Sequence, residues 1–221
     1  MVKSDAGWVP EAGDLDYIEA VSAPVHPVLA AIEAAAEPER VPILDRSSGR
    51  VLNVLAAGRR RIVEVGTAFG YSTLWMALGQ PVGGTIVTID PDSGRTARAR
   101  AWWREAGVPD ERITVVTAKA LEALGAGEPA LAGPFDLAFI DALKEEYLAY
   151  LDALVPRLAP GALVAADNVL WSGKVSGARP SRAGDRTAEL RAFNKAVLAD
   201  GRFRSTILPV GDGLLLAVYL G

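Results

Sequence analysis

Two aspartates and an asparagine are the residues of this sequence whose types and spacing best suit chemistry: Asp141, Asp167 and Asn168. They offer oxygen ligands only, and oxygen ligands suit a hard divalent ion such as Mg²⁺, Mn²⁺ or Ca²⁺. A structural alternative stays open, in which Asp167 and Asn168 cap a turn and Asp141 caps a helix that begins at Glu145. The three residues therefore indicate a metal site without excluding simple capping.

A glycine-rich turn, Gly66-x-x-x-Gly70, follows a short apolar run and is preceded by Glu64. Its spacing is not the G-x-G-x-x-G of dinucleotide-binding proteins, and the chain has no G-x-x-x-x-G-K-[ST] phosphate-binding loop. An acid before such a turn fits a cofactor with a positive charge better than one with a pyrophosphate. Asp90 ends the next apolar run, where a carboxylate can accept hydrogen bonds from ribose hydroxyls. The turn and Asp90 together indicate a cofactor site.

The elements that must position these residues alternate along the chain. Five apolar runs predict strands, at residues 61–65, 85–89, 112–116, 135–140 and 162–166. The segments between the strands predict helices, at residues 71–78, 93–106, 119–124 and 145–158. Such alternation predicts a parallel sheet with helices on both faces, whose strand ends bring the candidate residues to one edge.

The first part of the chain is expected to be helical, near residues 15–36 with an interruption by two prolines, and again at residues 47–57. No linker divides the chain, and 221 residues suit one domain. Within this domain we expect N-terminal helices and a lid at residues 1–57, and the cofactor-binding and catalytic core at residues 58–221.

The last part of the chain predicts a different kind of strand pairing. Residues 203–208 and 214–220 flank a Gly-Asp-Gly turn, which is typical of an antiparallel hairpin. Residues 172–185 are rich in Gly, Pro, Ser and Arg and predict a mobile surface loop. The expected fold is therefore α/β, a doubly wound, mostly parallel sheet with a C-terminal antiparallel hairpin.

Composition excludes several classes of protein. Half of the residues are hydrophobic, which excludes a disordered chain, and the absence of Cys excludes disulfides, thiolate zinc sites and a Cys nucleophile. The net charge of −4 gives no reason to expect nucleic acid binding. Residues 1–11 lack the apolar run of a signal peptide, and no run approaches the roughly 20 residues of a membrane span. We expect a cytoplasmic protein with no nucleic acid or membrane partner.

Four motifs occur in order along the chain. They are Glu64-x-Gly66-x-x-x-Gly70-Tyr71-Ser72 with Asp90, Phe139-Ile140-Asp141-Ala142-x-Lys144-x-x-Tyr147, Asp167-Asn168-Val169-Leu170-Trp171-x-Gly173-x-Val175, and Leu208-Pro209-Val210-Gly211-Asp212-Gly213. This set resembles the cation-dependent class I O-methyltransferases, the catechol and caffeoyl-CoA O-methyltransferase family, including its small bacterial members. The resemblance covers roughly residues 40–221, and the run that starts at Asp167 is its most specific part.

The resemblance implies S-adenosylmethionine as the methyl donor. By position, Asp90 would hold the ribose, and Ala118 and Ala120 would lie near the adenine. The amino-acid and ribose parts of the cofactor would lie against residues of the first turn, namely Glu64, Gly66, Thr67 and Ser72.

The resemblance also implies the residues that act on the acceptor. Lys144 would be the general base, and Asp141 would share in catalysis beside it. Trp171 would form one wall of the acceptor pocket, and Ser172 would lie next to it. The ligands of Mg²⁺, or of Mn²⁺ or Ca²⁺ in its place, would be Asp141, Asp167 and Asn168.

The sequence departs from the family pattern at three positions. Leu143 stands where the caffeoyl-CoA type usually carries Asp, and an apolar residue there is closer to the catechol type. Ser172 stands where the plant enzymes carry Asn, and Lys119 replaces a Pro that is common in the adenine loop. The first two differences point away from a plant phenylpropanoid-CoA substrate, and none of the three changes the implied metal ligands.

The prediction is an enzyme that moves a methyl group from S-adenosylmethionine to one hydroxyl of a catechol-like vicinal aromatic diol. Two alternatives stay open. One is an O-methyltransferase for a natural-product or CoA-thioester acceptor, and the other is a catalytically silent module that binds S-adenosylmethionine. Trp102 and Trp103 are interpreted as packing or interface residues. Together with the apolar composition and the dimers that the resembled family forms, they predict a homodimer.

Overall fold

The computed structural model describes residues 10–221 of the chain. Its helices are α1 (Ala12–Val21), α2 (Pro27–Glu39), α3 (Arg46–Ala56), α4 (Tyr71–Gly79), α5 (Ser93–Glu105), α6 (Ala120–Gly125), α7 (Tyr147–Leu154) and α8 (Thr187–Ala199). Its strands are β1 (Arg61–Val65), β2 (Thr85–Ile89), β3 (Ile113–Val116), β4 (Phe135–Ile140), β5 (Leu158–Ala166), β6 (Phe203–Leu208) and β7 (Leu214–Tyr219). Most of the segment expected to lack a signal peptide lies outside the described residues, as does the start of the predicted lid. Within residues 10–221, no helix has the length and apolar character that crossing a membrane requires.

The strands of the described chain form one sheet in the order β3-β2-β1-β4-β5-β7-β6. Strands β1 to β5 are parallel, whereas β7 is antiparallel to both β5 and β6. The parallel strands at the centre are apolar runs because helices cover both of their faces. This arrangement confirms the predicted doubly wound, mostly parallel sheet with a C-terminal hairpin. The strand order reverses at β1 and β4, and a ligand cleft is expected beyond their carboxyl ends.

The structure corrects the elements after β4. The predicted helix at residues 145–158 is too long, because α7 ends at Leu154 and β5 begins at Leu158. Pro160 is tolerated in this strand because β5 pairs with β4 at Leu158 and then only from Leu163 onward. Helix α8 was not predicted at all.

Each face of the sheet carries its own apolar core. On one face, Tyr147 of α7 and Phe193 of α8 make an edge-to-face contact with ring centroids 5.3 Å apart. On the other face, helices α2 to α5 cover the sheet, and Trp103 of α5 is buried there. Trp103 is therefore a packing residue and not an interface residue. The homodimer stays a prediction.

Candidate active site

A cleft of about 610 Å³ opens beyond the carboxyl ends of β1, β2, β4 and β5. It brings together most of the residues that the sequence singled out. The predicted site residues that line it are Gly66, Thr67, Ser72, Asp90, Ala120, Asp141, Lys144, Asp167, Asn168 and Trp171. Three others, Glu64, Ala118 and Ser172, do not line it.

The turn after β1 requires glycine for reasons of space and backbone shape. Gly66 has φ +102°, and a Cβ there would lie 2.1 Å from the carbonyl oxygen of Asp141. Gly70 has φ +74°, and the indole Nε1 of Trp103 donates a 2.9 Å hydrogen bond to its carbonyl. A side chain at position 66 would therefore push the turn away from the β4 end, where Asp141 lies.

Asp90, at the end of β2, stabilises this turn by hydrogen bonds. One carboxylate oxygen accepts the N–H groups of Thr67 at 3.1 Å and Ala68 at 2.9 Å, and the other accepts the N–H of Asp92 at 2.9 Å. Each carboxylate oxygen has two acceptor positions, so the group can also accept bonds from a ligand hydroxyl. Asp90 thus shapes the turn as well as facing the cleft, which sequence reasoning did not foresee.

Glu64 is placed differently from the prediction. Its side chain is fully buried below the start of α4, where Ser72 Oγ donates to it at 2.5 Å and Thr73 Oγ1 donates to its second oxygen. It does not face the cleft, so it supports Ser72 instead of lining the cofactor site directly. Burial raises the pKa of Glu64 to about 7, although the hydroxyl donors oppose that rise.

Glu64→Gln should change how stability depends on pH. Because the folded-state pKa of about 7 exceeds the ordinary value of 4.5, the folded protein retains a proton that the unfolded chain has lost between these pH values. The wild type should therefore lose free energy of unfolding as pH rises through this window, by up to about 3 kcal/mol from this group. Urea unfolding at pH 5 and pH 8 should show that the free energy of unfolding of the variant, relative to that of the wild type, is higher at pH 8 than at pH 5. Glu111→Gln, an exposed control, should keep the wild-type pH dependence. If the free energy of unfolding changed equally with pH in all three proteins, the raised pKa of Glu64 would be contradicted.

Lys144 and Asp141 form an ion pair at the inner wall of the cleft. The Lys144 Nζ lies 2.6 Å from Asp141 Oδ1, and the two side chains are 12% and 24% exposed. The same Nζ lies 5.1 Å from the ring centroid of Tyr147. The amine is therefore held in one place, close to the residues predicted to bind a metal.

Asp167 and Asn168 follow β5 and complete this side of the cleft. Asp167 is buried, and its Oδ1 has no hydrogen-bond partner within residues 10–221. Its Oδ2 accepts a 3.1 Å hydrogen bond from Asn168 Nδ2. The amide oxygen of Asn168 takes no part in that bond. Burial, reinforced by the charge of Asp141, raises the pKa of Asp167. A buried oxygen without a donor, close to a second carboxylate, fits a bound cation.

The donor set also limits which metals would suit this place. Among residues 10–221, no group of three His, Cys, Asp or Glu side chains is placed to hold a metal ion. A cation here would depend on two carboxylates, an amide oxygen and water. Such ligands suit Mg²⁺, Mn²⁺ or Ca²⁺ and not Zn²⁺.

Several cleft residues were missed by sequence reasoning. Tyr71 lines the cleft, and its hydroxyl donates a 2.5 Å bond to Glu33 of α2, which Arg46 of α3 also contacts at 2.6 Å. This network connects the N-terminal helices to the glycine-rich turn. The other missed lining residues include Pro42, Ile43, Leu44, Arg95, Glu146 and Tyr150.

Comparisons with known proteins identify the family to which this chain is similar. A family model described as O-methyltransferase matches residues 20–220. Catechol O-methyltransferase of Mycobacterium tuberculosis is 37% identical over 172 residues, 75% of this chain and 76% of that protein. Caffeoyl-CoA O-methyltransferase 2 of Zea mays is 34% identical over 190 residues, 82% of this chain and 72% of that protein. The solved structure of an O-methyltransferase from Bacillus cereus in complex with SAH has a TM-score of 0.79 and 30% identity, and the match covers 92% of this chain and 96% of that one.

Proposed function

Since the chain belongs to the O-methyltransferase family, we propose that it transfers a methyl group from S-adenosylmethionine to one hydroxyl of a catechol-like vicinal aromatic diol. The observation that carries the proposal is that Asp141, Lys144 and Asp167 line the same cleft as Gly66 and Asp90. Methyl transfer is an in-line displacement at carbon, so a cleft that orients donor and acceptor supplies much of the acceleration.

The cofactor half of the cleft consists of the glycine-rich turn and the end of β2. S-adenosylmethionine, when bound, supplies a methyl group on a positively charged sulfur. Asp90 has one acceptor position left, on Oδ1, for a ribose hydroxyl, and Ala120 leaves room beside it for a flat base. The solved structure of the Bacillus cereus relative is a complex with SAH, the demethylated product, which supports S-adenosylmethionine as the cofactor.

The acceptor half of the cleft consists of the ends of β4 and β5. Asp141, Asp167 and Asn168 would hold a divalent cation there. Such a cation, when bound, lowers the pKa of a coordinated hydroxyl and fixes which oxygen faces the donor. Lys144 is held beside these ligands, and in its neutral form its Nζ would take the hydroxyl proton, since the ammonium that pairs with Asp141 has no lone pair to accept one. Trp171 would exclude water from one side of the ring.

Binding of S-adenosylmethionine should raise the Tm of the protein. A ligand at 100 times its Kd stabilises the native state by about 2.7 kcal/mol, which corresponds to a rise of roughly 5–10 °C for a chain of this size. Asp90→Ala should abolish most of the rise in Tm, because it removes both the acceptor for the ribose and the hydrogen bonds that stabilise the turn. Asp152→Ala, an exposed change on α7, should keep the wild-type rise. Stabilisation by NAD with none by S-adenosylmethionine would contradict the cofactor assignment.

A second experiment tests the acceptor. It measures methylation of a panel of catechols and CoA thioesters, with Mg²⁺ and with excess chelator. We expect catechols to be methylated and the chelator to stop the reaction. Methylation of CoA thioesters alone would replace the catechol proposal with the other acceptor class, for which the maize relative is named. Binding of S-adenosylmethionine without any methylation would favour the silent binding module.

A further inference from the structure

The backbone that carries Asn168 and Trp171 has an unusual conformation. Three of the five residues from 168 to 172 have positive φ: Asn168 at +60°, Trp171 at +50° and Ser172 at +53°. Residues with a Cβ rarely adopt this region, and a bulky residue such as Trp adopts it only when its surroundings hold it there. Contacts outside the segment must therefore stabilise it.

Most of those contacts come from the turn between β6 and β7, and one comes from Asn194 of α8, whose Nδ2 donates to the carbonyl of Val169 at 2.8 Å. The N–H of Val169 donates to the carbonyl of Gly213 at 3.0 Å, and the N–H of Leu170 donates to the carbonyl of Asp212 at 2.9 Å. The N–H of Ser172 donates to the carboxylate oxygen Oδ1 of Asp212. Asp212 thus binds the segment on both sides of Trp171, once through its main chain and once through its side chain.

The hairpin turn is itself closely packed on two sides. A Cβ at Gly213 would lie 2.4 Å from Leu170 Cγ, and a Cβ at Gly211 would lie 1.8 Å from Asp45 Oδ2 at the start of α3. The turn also closes without the Asp212 side chain, because the N–H of Gly213 donates to the carbonyl of Val210 at 2.9 Å. The Asp212 carboxylate is therefore available for the segment that carries Trp171.

We propose that Asp212 is a positioning residue for the acceptor half of the cleft. Its carboxylate holds the N–H of Ser172, and this bond fixes the left-handed turn that sets Trp171 against the cleft and Asn168 beside Asp167. The inference rests on the proposed function for its consequence in catalysis. Asp212 does not line the cleft, so in this role it contacts neither reactant.

Asp212→Ala should weaken the acceptor half of the reaction and leave the cofactor half intact. A misplacement of about 1 Å can cost roughly 100-fold in rate, so we expect a loss of about 10–100-fold in kcat/KM for the catechol. The Kd for S-adenosylmethionine should stay at the wild-type value, because the turn after β1 makes no use of Asp212. Asp212→Asn keeps an oxygen acceptor and should restore most of the kcat/KM. Asp152→Ala serves as the control.

A second substitution separates positioning from a general loss of structure. Gly adopts positive φ without the steric penalty of a Cβ, so Ser172→Gly combined with Asp212→Ala should recover a large part of the lost kcat/KM. A general loss of structure would also raise the Kd for S-adenosylmethionine, which positioning of the acceptor half alone would not. Wild-type acceptor kinetics in Asp212→Ala would overturn the proposal, and so would a double variant no better than Asp212→Ala alone.

Amide hydrogen exchange provides a readout that needs no activity. In Asp212→Ala, exchange at Ser172 should accelerate, while exchange in β1 stays unchanged. If the wild type binds S-adenosylmethionine but methylates no catechol, the proposed function fails, and the exchange at Ser172 still decides whether Asp212 holds this turn. Unchanged exchange at Ser172 would overturn the inference independently of the reaction.

Discussion

Lys144→Met is expected to lower the kcat of catechol methylation by about 10²–10⁴-fold, the range typical of losing a general base. Lys144 is largely shielded from water and lies 2.6 Å from Asp141. Lys119 also lines the cleft, but its side chain is exposed and its Nζ lies 3.5 Å from Glu122, away from the proposed metal ligands. The substitution leaves the three proposed metal ligands in place. The KM for the catechol and the Mg²⁺ requirement should therefore change much less than kcat.

Lys144→Arg distinguishes proton transfer from ion pairing. Arg keeps the positive charge beside Asp141, but it cannot be deprotonated in a protein, so it should not restore kcat. Lys195→Met removes an exposed lysine of α8 and is the matched control. Single-turnover measurements at saturating catechol would give the chemical step directly. A wild-type rate in Lys144→Met would show that the amine is unnecessary, and a wild-type rate in Lys144→Arg would leave Lys144 only the role of a counter-charge.

The sequence predicted the central strands well because they are buried on both faces. Such strands are short apolar runs with few alternatives, and β1, β2 and β4 begin and end as predicted. Helix α8 was missed although Leu190, Phe193 and Val197 are spaced as one face of a helix, and all three are buried. The polar residues between them and the preceding loop concealed that pattern.

Strand-end residues were predictable as a group because the carboxyl ends of parallel strands meet at one edge. Glu64 shows the limit of that argument. Side chains alternate along a strand, so Val63 and Val65 face one core while Ile62 faces the other, and Glu64 shares the Ile62 side below α4. Counting this alternation along β1 would have shown that Glu64 and Val65 point to opposite faces.

Contacts between distant segments could not be predicted from local patterns. The bond from Tyr71 to Glu33 depends on how α2 packs over α4, and the bond from Ser172 to Asp212 depends on where the terminal hairpin lies. The motif around Asp212 was visible in the sequence as part of the resemblance. Its partner was not visible, because nothing in the residues between 172 and 212 fixes that pairing.

Asp167→Ala is expected to reduce affinity for Mg²⁺ by at least about 100-fold, since losing even an outer partner of a metal ligand typically costs 10–100-fold. In the wild type, Mg²⁺ should raise the Tm by mass action, and this rise should disappear in the variant at the same Mg²⁺ concentration. Methylation should fall in parallel and recover only at much higher Mg²⁺. The Tm measurement needs no acceptor, so it tests the metal site even if the true substrate is not a catechol.

The stability of the metal-free protein decides between a metal ligand and a cap. Asp167 Oδ1 is buried without a partner within residues 10–221, so its charge is poorly compensated and Asp167→Asn should unfold at the wild-type Tm or above it. Asp136 is the matched control, because its carboxylate accepts the N–H groups of Arg60 at 2.7 Å and Arg61 at 3.0 Å. Asp136→Ala should lose about 1–3 kcal/mol and keep its response to Mg²⁺. If Asp167→Asn instead lowers the metal-free Tm as Asp136→Ala does, Asp167 acts as a cap, and the catechol proposal loses the cation on which it depends.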